Sequence, residues 1–407
     1  MADHLLSVEE AQARAVALVT PLGAERVGLT ASPGRVLAEE VRAPADLPPH
    51  DNSAMDGFAV RASDCASDAA VELTLIGDVA AGYVAPRPLG AGEAYRIMTG
   101  APIPPGADAV VMVEATETVG ERVRLRGPVK SGAHVRPRGD DVRAGAVVLS
   151  PGATLRAAEV GVLASVRRAS ILVSRRPIVA VLATGDELRD LDQPLLPGTI
   201  PDTNSYTLAQ LIREAGGEPR VASIVRDDPA ILRAAINDAR SADLIVSSGG
   251  VSVGEHDHVK AVLAELGAEL SLWRVNMKPG KPVAIARLGA TPYYGLPGNP
   301  VSSVVSFWLF VRPAIRAALG CRQPFDLPRA RALLDAPLRS RGERRSYLRA
   351  HLHLDDEGAL HVRSMQQQGS HALSSMIGVN GLIVIEPGTH ELAAGSTVST
   401  LIVGPLA

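Results

Sequence analysis

Asp186 and Glu187 stand in TGDEL, directly after the apolar run PIVAVLA, and Asp257 closes SSGGVSVGEHD, directly after ADLIV. Carboxylates beside a loop of small residues suit a hard cation held against a phosphate. Glycines admit close backbone approach and positive φ, serines add hydroxyl donors, and Mg²⁺ takes one or two carboxylates while keeping its waters. In the second loop the anion-facing candidates are Ser248, Gly249, Gly250, Ser252 and Gly254. A third loop, YGLPGNPVSS, repeats the design with Pro297, Gly298 and Asn299 ahead of another apolar run. Lysine usage points the same way. Of 41 basic residues only Lys130, Lys260, Lys278 and Lys281 are lysine, and the last two share the rigid segment MKPGKP. Compact point charges suit phosphate.

These loops need elements that bring them to one edge. From about residue 177 the chain alternates apolar runs with helix-like segments: PIVAVLATG, TLAQLIREAGG, RVASIV, DPAILRAAINDAR, ADLIVSSGG, VKAVLAELG. Strands spaced by helices predict a three-layer, mostly parallel α/β sheet, whose ligands lie beyond the carboxyl ends of the strands. Ser7 with Glu10 reads as a capping box, Asp228 as an N-cap with Pro229 at the first helical position, and the glycines after REA as a helix stop. Residues from about 30 to 175 are rich in Pro, Gly and short β-like runs, and predict β-rich modules. After about 327 the helices stop, and RSYLRAHLHL, ALHVRSM, GLIVIEPG and STVSTLIV predict a small β-barrel or sandwich.

The composition narrows the function classes. The chain has 407 residues, 46% hydrophobic and 21% charged, so several cores are expected and global disorder is not. A formal charge of −3 lacks the basic excess of a nucleic-acid binder, and no nucleic-acid partner is expected. Cys65 and Cys321 are too few and too far apart for a disulfide framework, which favours a reduced, cytoplasmic setting. The first residues are acidic where an export signal would be basic. The run VVSFWLFV is too short to span a bilayer and is expected to stop at Arg312 and Pro313 as a buried helix, so no membrane partner is expected.

Eight stretches together, DNSAMDGFAV at 51–60, RIMTGAPIPPGADAVV at 96–111, TGDEL, DTN at 202–204, SSGGVSVGEHD, MKPGKP, GLPGNPVS and QGSH at 368–371, resemble the molybdopterin molybdenumtransferases, a family that includes the C-terminal domain of gephyrin. The resemblance implies the last step of molybdenum cofactor synthesis: adenylylated molybdopterin receives molybdate and AMP leaves, in an Mg²⁺-dependent reaction. It implies an elongated homodimer with a composite active site, and contact with molybdopterin adenylyltransferase and molybdoenzyme maturation factors. It divides the chain into a linker domain (1–45 with 140–175), a β-rich insertion (46–139), an α/β domain (176–327) and a β-barrel (328–407). Carried over by position, Asp56, Thr99, Glu187, Asp257, Lys278 and Lys281 are catalytic candidates. Asp140, Asp141, Asp186, Glu187, Asp227 and Asp257 are metal candidates, and Arg136, Arg138 and Ser370 join the loops in binding.

Two other functions share parts of this pattern. An adenylyltransferase has the same α/β fold and SGG loop, and a gephyrin-like scaffold has the same architecture without the chemistry. The intact acidic motifs and the extra modules favour the transferase. His256 with His258, and His351 with His353, invite zinc, but two histidines without a third ligand make a poor site, so structural or surface roles are expected for them.

Overall fold

Ile178–Ala183, the core of PIVAVLA, is an inner strand of a six-stranded sheet in the order Glu218–Val221, Ile178–Ala183, Leu244–Ser248, Thr291–Leu296, Pro282–Leu288, Glu269–Arg274. The computed structural model describes residues 5–251 and 258–406, apart from the side chains of Leu272 and Trp273. The first four strands are parallel, and only Pro282–Leu288 runs against its neighbours, so the sheet is mostly parallel as expected. Alternation along each strand explains the two apolar faces. Val179 and Val181 enter one core with Leu208, Ile212, Phe307 and Phe310. Ala180 and Leu182 enter the opposite core with Leu232, Ile236, Val259 and Val262. A buried Val, Leu or Ile contributes about 1.5–3 kcal/mol, and a one-residue slip would exchange the faces, so the register is strongly held.

The helix signals act as read. Ser7 and Glu10 form the capping box, Asp228 accepts from the amides of Ala230 and Ile231 ahead of Pro229, and Gly216 ends its helix at φ 100°. One reading is corrected. The late apolar run does not stop at Arg312 and Pro313 but continues as a helix over Pro300–Ala318, 83% buried. The turn Phe307–Val311 is π-type. In a regular turn the Pro313 ring would strike the Leu309 carbonyl, and the wider turn relieves that clash. The burial marks a core helix.

Ala24–Gly28 pairs with Ser170–Ser174, and Val41–Arg42 with Val147–Leu149, so residues on both sides of the insertion close one small core. The first helix, Val8–Ala17, departs from the 1–45 grouping. Its apolar face, Val8, Ala11 and Ala15, packs in the α/β core, and Tyr294 Oη donates to Ala15 O at 2.8 Å. Amphipathic periodicity shows that a helix has an apolar face but not which domain receives it.

The insertion folds as a six-stranded sheet from Gly57–Val60 to Arg122–Leu125. The C-terminal strands Arg345–Leu354, Leu360–Ser364, Arg329–Leu334, Thr397–Ile402 and Gly381–Ile385 close into a barrel through pairing of the first with the last. Met277–Lys278, from MKPGKP, adds in parallel to the barrel strand at Arg345 and Ser346.

Candidate functional site

Three loops converge where the strand order reverses. Ile178–Ala183 and Leu244–Ser248 are neighbours, yet their crossovers leave in opposite directions along the sheet, which opens a crevice at their carboxyl ends. Thr184 N donates to Ser248 O at 2.9 Å, which joins TGDEL to SSGG. The approach is close enough to demand glycine. Gly249 has φ 94°, and a Cβ there would lie 2.5 Å from the Thr184 carbonyl oxygen. Asn204 then ties in the third loop: Nδ2 donates to Ser248 Oγ at 2.7 Å and to Gly298 O at 2.8 Å. Ser248 Oγ donates to Pro297 O at 3.3 Å.

The loops enclose a cleft of about 510 Å³ lined by Thr184, Glu187, Asp202, Asn204, Ser248, Gly298, Asn299 and His371. The backbone amides of Gly298 and Asn299 have no hydrogen-bond partner among the described residues and remain available to an oxyanion. Asp202 is held by the Ser205 amide at 3.1 Å. Asp186, beside Glu187 on the TGDEL loop, points outward, 65% exposed, with Arg226 at 3.8 Å and the Asp227 amide at 3.4 Å. The donors at this edge are oxygens, which suits a hard cation. Both cysteines are buried thiols, and burial pushes Cys65 up to about 11, so neither offers a thiolate here.

The barrel reaches the same cleft. Ser370 O accepts from the Val301 amide at 3.1 Å, and His371 lines the wall. The loop before them is held by Arg349, fully buried, whose Nη2 donates to Gln367 O at 2.7 Å and Gly369 O at 3.2 Å. Burial pushes the Arg349 guanidinium below its ordinary range.

Lys278 and Lys281 do not line this cleft. They line a second recess of about 470 Å³ with Asn276, Arg341, Arg344 and Glu343, at the seam between the α/β domain and the barrel. Four cations face one carboxylate there.

A further cluster forms in the insertion. Thr99 donates to Asp56 Oδ1 from both its amide and its hydroxyl, each at 2.7 Å, and these bonds, with Arg96, hold the Asp56 carboxyl below its usual range. The N-terminal motifs interlock: Gly100 N donates to Ser53 O, Ala54 N to His134 O, and Arg136 pairs with Asn52. Arg138 is bound to Asp46 and, through its amide, to Asp51, so its guanidinium is already engaged. Arg136, Asp140 and Asp141 are exposed beside this junction. Among the described residues, the hydrogen bonds of Asp56 and Thr99 stay within the insertion. Ser252, Gly254 and Asp257 lie outside the described residues.

Thr184, Asn204, His371 and Arg349 escaped the sequence reading as site residues. Asn204 and His371 lie within the motifs DTN and QGSH, but a role for either requires knowing that three distant loops meet.

The comparisons with known proteins agree along the whole chain. Residues 6–166 match the MoeA N-terminal region (domains I and II), 180–317 a probable molybdopterin binding domain, and 331–403 the MoeA C-terminal region (domain IV). A molybdopterin molybdenumtransferase of Nostoc sp. is 40% identical over 387 residues, 93% of this chain and 88% of that protein. One from Haemophilus influenzae is 36% identical over 97% of this chain and 98% of its own. The solved structure of the molybdopterin biosynthesis MoeA protein from Pyrococcus horikoshii superposes with a TM-score of 0.85 at 29% identity, covering 98% of this chain and all of that one. With three family regions in order and full-length relatives above 30% identity, the chain belongs to the molybdopterin molybdenumtransferase family of enzymes.

Proposed function

We propose that the chain works in molybdenum cofactor biosynthesis, inserting molybdate into adenylylated molybdopterin with release of AMP, as an Mg²⁺-dependent homodimer. The observation that carries this reading is the meeting of TGDEL, SSGG and LPGNP around one crevice, tied by Asn204. A phosphoanhydride needs donors on its oxygens, and the Gly298 and Asn299 amides supply them, on a loop that Ser248 and Asn204 hold in place. Glu187, with Asp186 beside it, would hold Mg²⁺, which when bound would offset the charge on the departing phosphate. Lys278, Lys281, Arg341 and Arg344 suit a second anion, either the terminal phosphate of the pterin or molybdate itself. With both protein thiols buried, the substrate's own dithiolene sulfurs take the metal oxyanion.

The Asp56–Thr99 pair forms the complementary half, which a partner subunit presents to this crevice. The ordered carboxylate is kept ionised by the two Thr99 bonds.

AMP release from adenylylated molybdopterin, measured with and without molybdate and Mg²⁺, tests the reading. Release that requires both is expected. An adenylyltransferase would instead consume ATP and molybdopterin, and a scaffold would release nothing. Glu187→Gln should lower the rate by about 10²–10³, the loss typical of one preorganised electrostatic group. An unchanged rate would remove Glu187 from the site.

A further inference from the structure

The barrel surface carries a second cluster that the proposed reaction does not use. Asp335 follows the strand Arg329–Leu334, His353 lies in Arg345–Leu354, and His361 lies opposite it in Leu360–Ser364. The fold therefore gives His353 two further groups, Asp335 and His361, in place of the His351 that its spacing suggested. His361 Nδ1 stands 3.0 Å from Asp335 Oδ1, and His353 Nε2 stands 3.8 Å from Asp335 Oδ2. A ligand atom from each of the three residues lies within 4.8 Å of the others. Zinc bonds to nitrogen and oxygen of about 2.0 Å give tetrahedral edges of about 3.3 Å, close to the 3.0 Å between His361 Nδ1 and Asp335 Oδ1.

His361 Nε2 lies 3.2 Å from Asp355 Oδ2, so both ring nitrogens face carboxylates. A neutral ring has one proton. When that proton is on Nε2 and donated to Asp355, the Nδ1 lone pair confronts the Asp335 oxygen, and a cation between them resolves the conflict. Asp355 then fixes the tautomer of the ligand, as outer carboxylates commonly do for metal-bound histidine. His353 Nδ1 is buried without a hydrogen-bond partner among the described residues. Arg363 Nε, 3.2 Å from Asp335 Oδ2, leaves the carboxylate's other oxygen for the ion.

We propose that Asp335, His353 and His361, oriented by Asp355, bind a borderline divalent transition metal such as Zn²⁺, with water completing the shell, and staple three segments of the barrel. The full chain, stripped with a chelator and kept in excess Mg²⁺ to occupy the hard oxygen sites, is titrated with Zn²⁺ by calorimetry and with Co²⁺ by visible absorption. One ion per chain is expected, with affinity falling as acid protonates the imidazoles. His353→Ala and His361→Gln should each weaken binding at least about 10-fold, since disturbing even outer-shell partners costs about 10–100-fold. Zn²⁺ should raise the unfolding temperature of the wild type and not of His361→Gln, which keeps a hydrogen-bonding side chain in case the alanine variant misfolds. No stoichiometric binding, as a doubly protonated His361 ring would give, overturns the site. So does binding that survives both substitutions.

Discussion

Gly249 shows how little freedom the site leaves at the residue scale. Its φ of 94° is strained for any side chain, and a Cβ would press on the Thr184 carbonyl that SSGG must approach. Gly249→Ala should destabilise the chain by about 1–3 kcal/mol, read from urea unfolding. Its AMP release should fall by more than the folded fraction explains, because Thr184 and Ser248 must separate. A rate that tracks only the folded fraction would make Gly249 a simple turn residue. Arg349 acts at the same scale by different means, filling carbonyl valences of the QGSH loop from inside the barrel. Arg349→Met keeps length and loses the donors. A stranded Gln367 carbonyl and a loosened loop, with Gly369 O left to the Ala372 amide alone, should cost about 1–3 kcal/mol, seen in thermal unfolding, with a lowered kcat.

At the scale of the element, the sheet is anchored at the edge opposite the cleft. Burial alone would raise the Asp243 carboxyl, but the Arg175 guanidinium at 2.7 and 2.8 Å and the Ile178 amide at 2.8 Å outweigh it and hold the group below its ordinary range. These bonds tie the starts of Ile178–Ala183 and Leu244–Ser248, the strands that present TGDEL and SSGG. Because the folded-state value is depressed, the stabilisation is complete above the unfolded value of about 3.9 and is lost as pH falls through the lower folded value. Asp243→Asn should cost about 1.5 kcal/mol at pH 7, near the lower end for bonds to charged groups since Arg175 is 40% exposed. Unfolding measured across pH should show wild type and variant converging below about pH 4. A constant gap would assign the loss to packing.

At the scale of the whole molecule, motif residues fall into separate places: the α/β cleft, the lysine recess and the interlocked insertion loops. A reaction that needs all three requires either a large domain movement or two subunits. The dimer reading predicts that Asp56→Asn and Lys278→Ala, each inactive alone, regain activity as verified heterodimers, up to the one intact composite site of two that each heterodimer would form. Verified heterodimers without activity would sink the shared-site arrangement.

Local chemistry was legible in the sequence wherever the cause is local. Capping at Ser7 and Asp228 depends on neighbours within three residues, and the alternation of Val179 with Ala180 needs only the pleat of the strand, so helix starts and the mostly parallel sheet could be read directly. The glycines of SSGG announced a close approach without saying to what. Tertiary structure decided the rest, because those interactions join residues far apart in the chain: Asn204 with Gly298, Ser370 with Val301, Val8 with the α/β core, and Asp335 with His353 and His361. The proline at 313 marks the boundary between the two kinds of information. Its local signal ends a helix, and only the burial of both flanking turns makes a π-type turn the better outcome.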